Sequence, residues 1–244
     1  MIRSTLKQIA HNIARACGAH RWLWRSGLDS ELRFWDRYLG SGGLHWKDDF
    51  QRRLDPAFPL QPRPARTLSG HSAQVVDILD VGAGPLTYLG KTLPGHELRI
   101  TAVDPLAEGY TALMEKHKVQ APVRTQFARG EELDVKFAAD SFDLVFARNC
   151  IDHSENPMTA ITQMLRVTRP GGSVQLEHWP NEGEQEKYRG LHQWNFDCQD
   201  GRFIIWSQRQ RVDVAEHYAG QCEVTCAFEQ EDGNPMVIAV LRKL

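Results

Sequence analysis

From Val75 onward, apolar runs of strand length alternate with helical patterns, and this alternation constrains the fold more than any other feature of the chain. The strand-like runs are Val75 to Val81, Leu98 to Val103, Val123 to Phe127, Phe142 to Ala147 and Ser173 to His178. Helical stretches lie between them at Pro85 to Thr92, Pro105 to Lys118 and Pro157 to Val167. Near-continuous apolar strands joined by helical crossovers predict a parallel sheet covered on both faces, an α/β doubly wound fold. The last part departs from that rhythm. Arg202 to Trp206 reads as a strand and Val212 to Tyr218 as a helix, while Cys222 to Glu229 and Met236 to Leu241 form a hairpin turning at Asp232-Gly233-Asn234. The antiparallel hairpin makes the expected sheet mixed. A single core suffices for 244 residues, and two large independent domains are not expected.

Ahead of the alternating region, Ile2, Leu6, Ile9, Ile13 and Cys17 recur at helical steps, accompanied by Arg3, Lys7, Arg15, Arg21 and Arg25 with no acid before Asp29. Such a stripe packs on the main domain or a partner subunit, or lies weakly on an anionic membrane surface through residues 1–28. A second helical stretch runs from Ser30 to Leu39. Gly40 to Ser69, with Gly42-Gly43 and four prolines, reads as loop and linker. Residues 1–70 are thus expected to be an N-terminal helical cap and linker, and residues 71–244 the main domain. Within the cap, Arg52 and Arg53 can grip a carboxylate or phosphate, or simply keep it soluble.

Residues 1–70 hold 12 Lys/Arg against 6 Asp/Glu and the remainder 17 against 25, a net −2 overall, so no nucleic-acid binder is expected, a reading that stays open only for the first 70 residues. No apolar run approaches the roughly 18 to 20 residues that span a bilayer, and no secretory signal precedes the domain. A cytoplasmic location is expected. Five cysteines without a CxxC pair are expected to be reduced thiols.

Val75 to Val81 leads through Asp80 into Gly82-Ala83-Gly84-Pro85, a glycine turn between a strand and a helical stretch, the context of a nucleotide-type site. The second strand ends at Asp104-Pro105. A carboxylate at that tip can accept both hydroxyls of a ribose. Two features separate the candidate ligands. A third glycine is missing, and Asp80 repels a pyrophosphate while attracting a ligand that carries an ammonium and a sulfonium.

These residues, with Gly130-Glu131-Glu132-Leu133, Asp140-Ser141-Phe142-Asp143-Leu144-Val145 and Arg169-Pro170-Gly171-Gly172, resemble the class I S-adenosylmethionine-dependent methyltransferases over about residues 75–179. The resemblance implies a Rossmann-like fold with a seven-stranded mixed sheet, S-adenosylmethionine as cofactor and S-adenosylhomocysteine as product. By the same resemblance Asp80, Gly82, Ala83 and Gly84 surround the methionine part, Asp104 and Pro105 meet the ribose, and Glu131 with Glu132 lies near the adenine. The family usually has Asp where Glu131 stands. Phe34-Trp35-Asp36 and the run Tyr188 to Phe196 are similar to a subgroup of bacterial small-molecule methyltransferases of unassigned substrate.

Methyl transfer from a sulfonium is an in-line displacement, and an alcohol acceptor needs a base within hydrogen-bond reach. Asn149, Asp152 and His153 follow the fourth strand, at the sheet edge where ligands bind; Asn149 joins the cofactor set and Asp152 the substrate set. His153, His178 and His192 are rival bases, each with a structural role as its alternative. Residues 179–210 form an excursion read as a substrate lid, in which Trp179, Tyr188, Trp194 and Asn195 are the candidates to face the acceptor, with core packing the equal alternative for Trp179 and Trp194. Indole faces suit a sugar or a cation. No metal is expected, because the acids of 182–186 and His178 form no recognised ligand set. The reading is methyl transfer to a small molecule, a hydroxyl of a sugar or glycan precursor. A small-molecule N-methyltransferase is the near alternative; an NAD-dependent oxidoreductase and a noncatalytic membrane-surface scaffold are the alternatives from other classes.

Overall fold

The computed structural model describes residues 20–244, with side chains from Gly27 onward. The Ile2 to Cys17 stripe, and with it most of the segment read for membrane-surface contact, lies outside the described residues. Among those described, no helix is long and apolar enough to cross a membrane.

β1 (Val75–Val81) pairs parallel with β2 (Glu97–Asp104) on one side and with β4 (Phe142–Arg148) on the other. β3 (Thr125–Phe127) extends the sheet beyond β2, and β5 (Thr168–His178) extends it beyond β4. β9 (Cys222–Glu231) and β10 (Asn234–Lys243) form the expected hairpin, and β10 pairs antiparallel with β5. The order is β3-β2-β1-β4-β5-β10-β9, a seven-stranded mixed sheet. Ile78, Leu79, Leu144, Val145 and Phe146 are fully buried because both faces of the central strands are covered. Arg169-Pro170-Gly171-Gly172 bulges from the start of β5, where pairing with β4 jumps from Phe142 and Thr168 to Leu144 and Ser173.

The segment from Gly40 to Ser69 is not a linker. After α1 (His20–Ser41) it forms α2 (Lys47–Leu54) and α3 (Pro62–Thr67), and Leu60 and Leu68 are buried with Ile78 and Phe146. Nor does a helix form over Pro85 to Thr92. The chain there is an irregular loop held in large part by residues 58–61: Lys91 N donates to Phe58 O at 2.7 Å, Leu60 N donates to Thr92 O at 2.8 Å, and the Gln61 side chain bonds both Tyr88 O and Gly90 N. At Gly90 a Cβ would lie 1.9 Å from Pro59 O, so the two backbones cross where only glycine fits.

α4 (Ala107–His117) follows β2, and α5 (Pro157–Val167) follows β4. Asn156 caps α5 by accepting from Met158 N and Thr159 N, with Pro157 in the first turn. Ala160, Ile161 and Met164 then face the main core. Residues 179–210 hold a short helix, α6 (Glu182–Gln185), and the antiparallel strands β6 (Asn195–Gln199) and β7 (Arg202–Trp206). β8 (Arg211–Asp213) completes this second sheet, so the expected helix shrinks to α7 (Val214–His217), capped by Asp213. Phe196, Phe203 and Ile205 bury against the core of the main sheet.

Candidate active site

β1 and β2 end in register, Val81 beside Val103. Their tips bring two carboxylates under one loop. Gly82 and Gly84 take φ of +71° and +65°, values that favour glycine, and the Gly82 and Ala83 amides donate to Val103 O at 2.8 and 3.1 Å. Asp104 accepts from Gly84 N at 3.1 Å and from Leu106 N at 2.8 Å, while Asp80 accepts from the Thr87 hydroxyl. Only 2% of Asp80 and 7% of Asp104 is exposed. Burial pushes both carboxyls up to about 6 against the pull of these hydrogen bonds.

Above them opens a cavity of about 450 Å³, a size typical of small-molecule sites. α1 forms one wall. Trp35 lies against the glycine loop, 2.8 Å from where a Cβ of Gly84 would stand, and its indole N–H donates to Glu31 at 2.9 Å. The next residue, Asp36, accepts from Lys116 Nζ at 2.7 Å and lies 2.7 Å from His117 Nε2, which ties α1 to α4. On the opposite side the Arg148 guanidinium lies 4.2 Å over the Tyr88 ring. Asn149, at the tip of β4, has φ of +48°; its Oδ1 accepts from Trp179 N at 3.1 Å.

A second polar centre borders the cavity. The 3-10 turn Ile151–His153 carries Asp152, only 1% exposed, whose Oδ2 lies 2.8 Å from His192 Nδ1 and 3.4 Å from His153 Nε2. The two imidazoles approach each other at 3.2 Å. Burial opposes charge on Asp152, but His153, His192 and His178 hold its carboxyl down at about 2. Burial likewise opposes charge on His192, and the hydrogen bond and charge of Asp152 raise it to about 9. His178, stacked 4.2 Å from the Phe196 ring, is pushed down to about 4 by burial.

Residues 79–176 match the family described as methyltransferase domain. Over that stretch, about two fifths of the chain, the protein is similar to a methyltransferase domain. It is 31% identical over 101 residues to an uncharacterized methyltransferase of Mycobacteroides abscessus, covering 41% of this chain and 39% of that protein. A counterpart from Mycobacterium avium is 34% identical over 110 residues, covering 45% and 42%. The match thus spans about two fifths of the length of these relatives. Among solved structures, phosphoethanolamine N-methyltransferase 2 of Haemonchus contortus in complex with S-adenosylmethionine has a TM-score of 0.50 at 16% identity, covering 74% of this chain and 51% of that one. The trans-methyltransferase CalH in complex with S-adenosylhomocysteine gives 0.50 at 15% identity, covering 75% and 55%. Both similarities are in fold.

The cavity fits S-adenosylmethionine in the chemistry of its donors. Two desolvated carboxylates await a cationic or hydroxyl-donating partner, and a Cβ on Gly82 would strike Cys150 Cβ and Sγ at 2.5 Å. Of the residues expected from the sequence, Asp80, Gly82, Ala83, Gly84, Asp104, Pro105, Glu131, Asn149, His153 and Trp179 line the cavity. The others do not. Glu132 is exposed and lies 3.7 Å from Arg129. Asp152 and His192 stand behind His153, and His178 is buried away from the lining with 1% exposure. Trp194 belongs to the main core; Asn195 Nδ2 donates to the Tyr188 hydroxyl at 3.1 Å and its Oδ1 accepts from Glu184 N, so both side chains hold the turn together. Sequence reasoning missed the contributions of Tyr88, Tyr110, Arg148, Cys150 and the hairpin acids Glu231 and Asp232. Of these only Arg148 and Cys150 carried a signal, by adjoining Asn149.

Proposed function

We propose that this protein transfers a methyl group from S-adenosylmethionine to a small-molecule acceptor. The carrying observation is the pair of buried carboxylates, Asp80 and Asp104, at neighbouring strand tips under a glycine loop that opens on the cavity. In this reading Asp80 and the loop glycines hold the methionine part, Asp104 accepts the ribose hydroxyls, and Glu131, whose carboxylate also accepts from Glu155 N at 2.8 Å, lies near the adenine. Bound there, the cofactor supplies an electrophilic methyl on a sulfonium. The chain's own task is to align and desolvate the acceptor. The missing helix after Gly84 also argues against the NAD-dependent alternative, since a dinucleotide loop rests its pyrophosphate on a helix N-terminus.

His153 is the one of the three histidines that reaches the cavity, so it is the proposed proton acceptor for a hydroxyl, with His192 and Asp152 orienting it. The acceptor is read as a sugar or glycan precursor, with Trp179 as the indole face. Trp194 lends that reading no support because it is buried in the core. A small amine is the second reading, favoured by Phe34, Trp35 and Trp46 at the same cavity as Asp232, a combination that suits a cation.

Screening hydroxylated and amine acceptors with labelled methyl donor tests the proposal; labelled product is expected with one class, and no transfer to any small molecule counts against it. His153→Ala is expected to lower turnover roughly 100-fold on a hydroxyl acceptor while leaving S-adenosylhomocysteine affinity intact. Unchanged turnover removes the base from the mechanism. Cofactor binding also acquires a pH dependence. Asp80 and Asp104 titrate near 6 in the fold, so they are charged above that pH and neutral below it. Affinity for S-adenosylhomocysteine is therefore expected to fall roughly tenfold from pH 7.5 to pH 5. The folding stability of the ligand-free protein moves oppositely. Its raised carboxyls retain protons that the unfolded chain has released, so stability declines as pH rises from about 4 to about 6. Calorimetric titrations across this range, with thermal melts alongside, check both slopes.

A further inference from the structure

We propose that Asp152, His153 and His192 bind a divalent first-row transition metal ion at the edge of the cavity. The donor atoms Asp152 Oδ2, His153 Nε2 and His192 Nδ1 converge on one point, at mutual separations of 2.8, 3.2 and 3.4 Å. Two ligands each about 2.1 Å from one ion lie roughly 3.0 to 3.4 Å apart in tetrahedral or octahedral geometry, so an ion placed just off the plane of these three atoms reaches all of them. Hydrogen bonding alone accounts for the cluster less well. Both ring nitrogens face the same carboxylate oxygen and each other, a convergence that one shared positive charge satisfies at once.

A second observation points the same way. Asp152 is 1% exposed, yet its Oδ1 finds no hydrogen-bond partner among the described residues, and neither does either nitrogen of His178, whose Nδ1 lies 3.8 Å from that oxygen. A buried carboxylate ringed by three imidazoles with acceptor capacity to spare is a ligand environment. Two imidazoles and one carboxylate suit zinc, cobalt or iron in the divalent state and leave coordination positions open. The sequence hides the site because His192 is brought in from a turn 40 residues beyond Asp152.

The cluster borders the site of the proposed methyl transfer without depending on it. An ion held there would make His153 a ligand in place of the proton acceptor proposed above, and would itself supply Lewis acidity toward a heteroatom of the acceptor.

The test uses the full chain after chelator treatment and dialysis, titrated with Zn²⁺ by calorimetry and with Co²⁺ by visible absorption. One ion per chain is expected, with Co²⁺ giving the ligand-field bands of a nitrogen and oxygen site. Asp152→Asn and His192→Gln are each expected to weaken binding by more than the roughly 10- to 100-fold that outer-shell changes cost. S-adenosylhomocysteine titration of the same variants reports on the cavity and should be unaltered. His192 is 29% exposed, so His192→Gln serves if the buried Asp152→Asn fails to fold. Failure of the wild-type chain to bind either ion, or equal binding by His192→Gln, overturns the site. Ion binding without S-adenosylhomocysteine binding leaves the site standing and defeats the methyl-transfer reading instead.

Discussion

Arg63→Ala is expected to destabilise the protein by about 3 kcal/mol, the low end of the cost of breaking a buried ion pair, because it leaves a buried cluster of carboxylates one cation short. Arg63 comes from the segment whose prolines suggest a linker, yet its side chain is 11% exposed and faces three carboxylates. Its Nε donates to Glu229 at 2.9 Å, and its Nη1 pairs with Glu231 and lies 3.5 Å from Glu177. Glu177, 1% exposed in β5, also pairs with Arg148 and accepts from Gln175 Nε2 at 2.8 Å. Removing Arg63 leaves Arg148 and the more exposed Arg66, which pairs with Glu229, to neutralise the cluster that joins α3, β5 and the β9–β10 hairpin. For a chain of this size the loss corresponds to a melting temperature lower by roughly 10 °C. A change no larger than the roughly 1 kcal/mol of an exposed ion pair would mean that the network is solvated and does not fasten the N-terminal segment.

Gly82→Ala carries the second large effect, and it acts on the site directly. At φ of +71° an alanine is strained, and its Cβ falls 2.5 Å from both Cβ and Sγ of Cys150, which is fixed by its contact of 3.1 Å with Val81 O. Strain of about 1 to 3 kcal/mol and overpacking of similar size both press on the loop above Asp80. Loss of measurable S-adenosylhomocysteine binding is expected, with a lowered melting temperature. Gly95→Ala is the control: its φ is also positive, at +83°, but open space surrounds it, so strain without collision should leave cofactor binding intact. Equal cofactor affinity in Gly82→Ala and wild type would mean that the loop is not the cradle.

The sheet was legible because its strands are nearly continuous apolar runs, which burial on both faces requires, and because the Asp232-Gly233 turn has the chemistry of a tight hairpin. Asp80, Asp104 and the two glycines could be read for the same reason: they sit at strand ends, where chain position alone fixes place in the fold. What failed was whatever tertiary contact decides. Pro85 to Thr92 has helical spacing, but residues 58–61 take several of its backbone hydrogen bonds. Gly40 to Ser69 has the prolines of a loop, but one of those prolines starts α3 and another is buried within it. Trp194 and Asn195 look like acceptor contacts in the one-dimensional pattern and are packing residues in three. Conversely His192 joins Asp152 and His153 across 40 residues, a juxtaposition that no local pattern carries.

Asp80 and Asp104, beneath the Gly82 to Gly84 turn, are proposed to hold a zwitterionic nucleoside and not a dinucleotide. Calorimetric titration of the full chain with S-adenosylhomocysteine, and separately with NAD, tests it most directly. One S-adenosylhomocysteine per chain should bind, Asp104→Ala should weaken it by roughly tenfold or more, and NAD should give no heat; saturable NAD binding beside silence from S-adenosylhomocysteine would contradict the account.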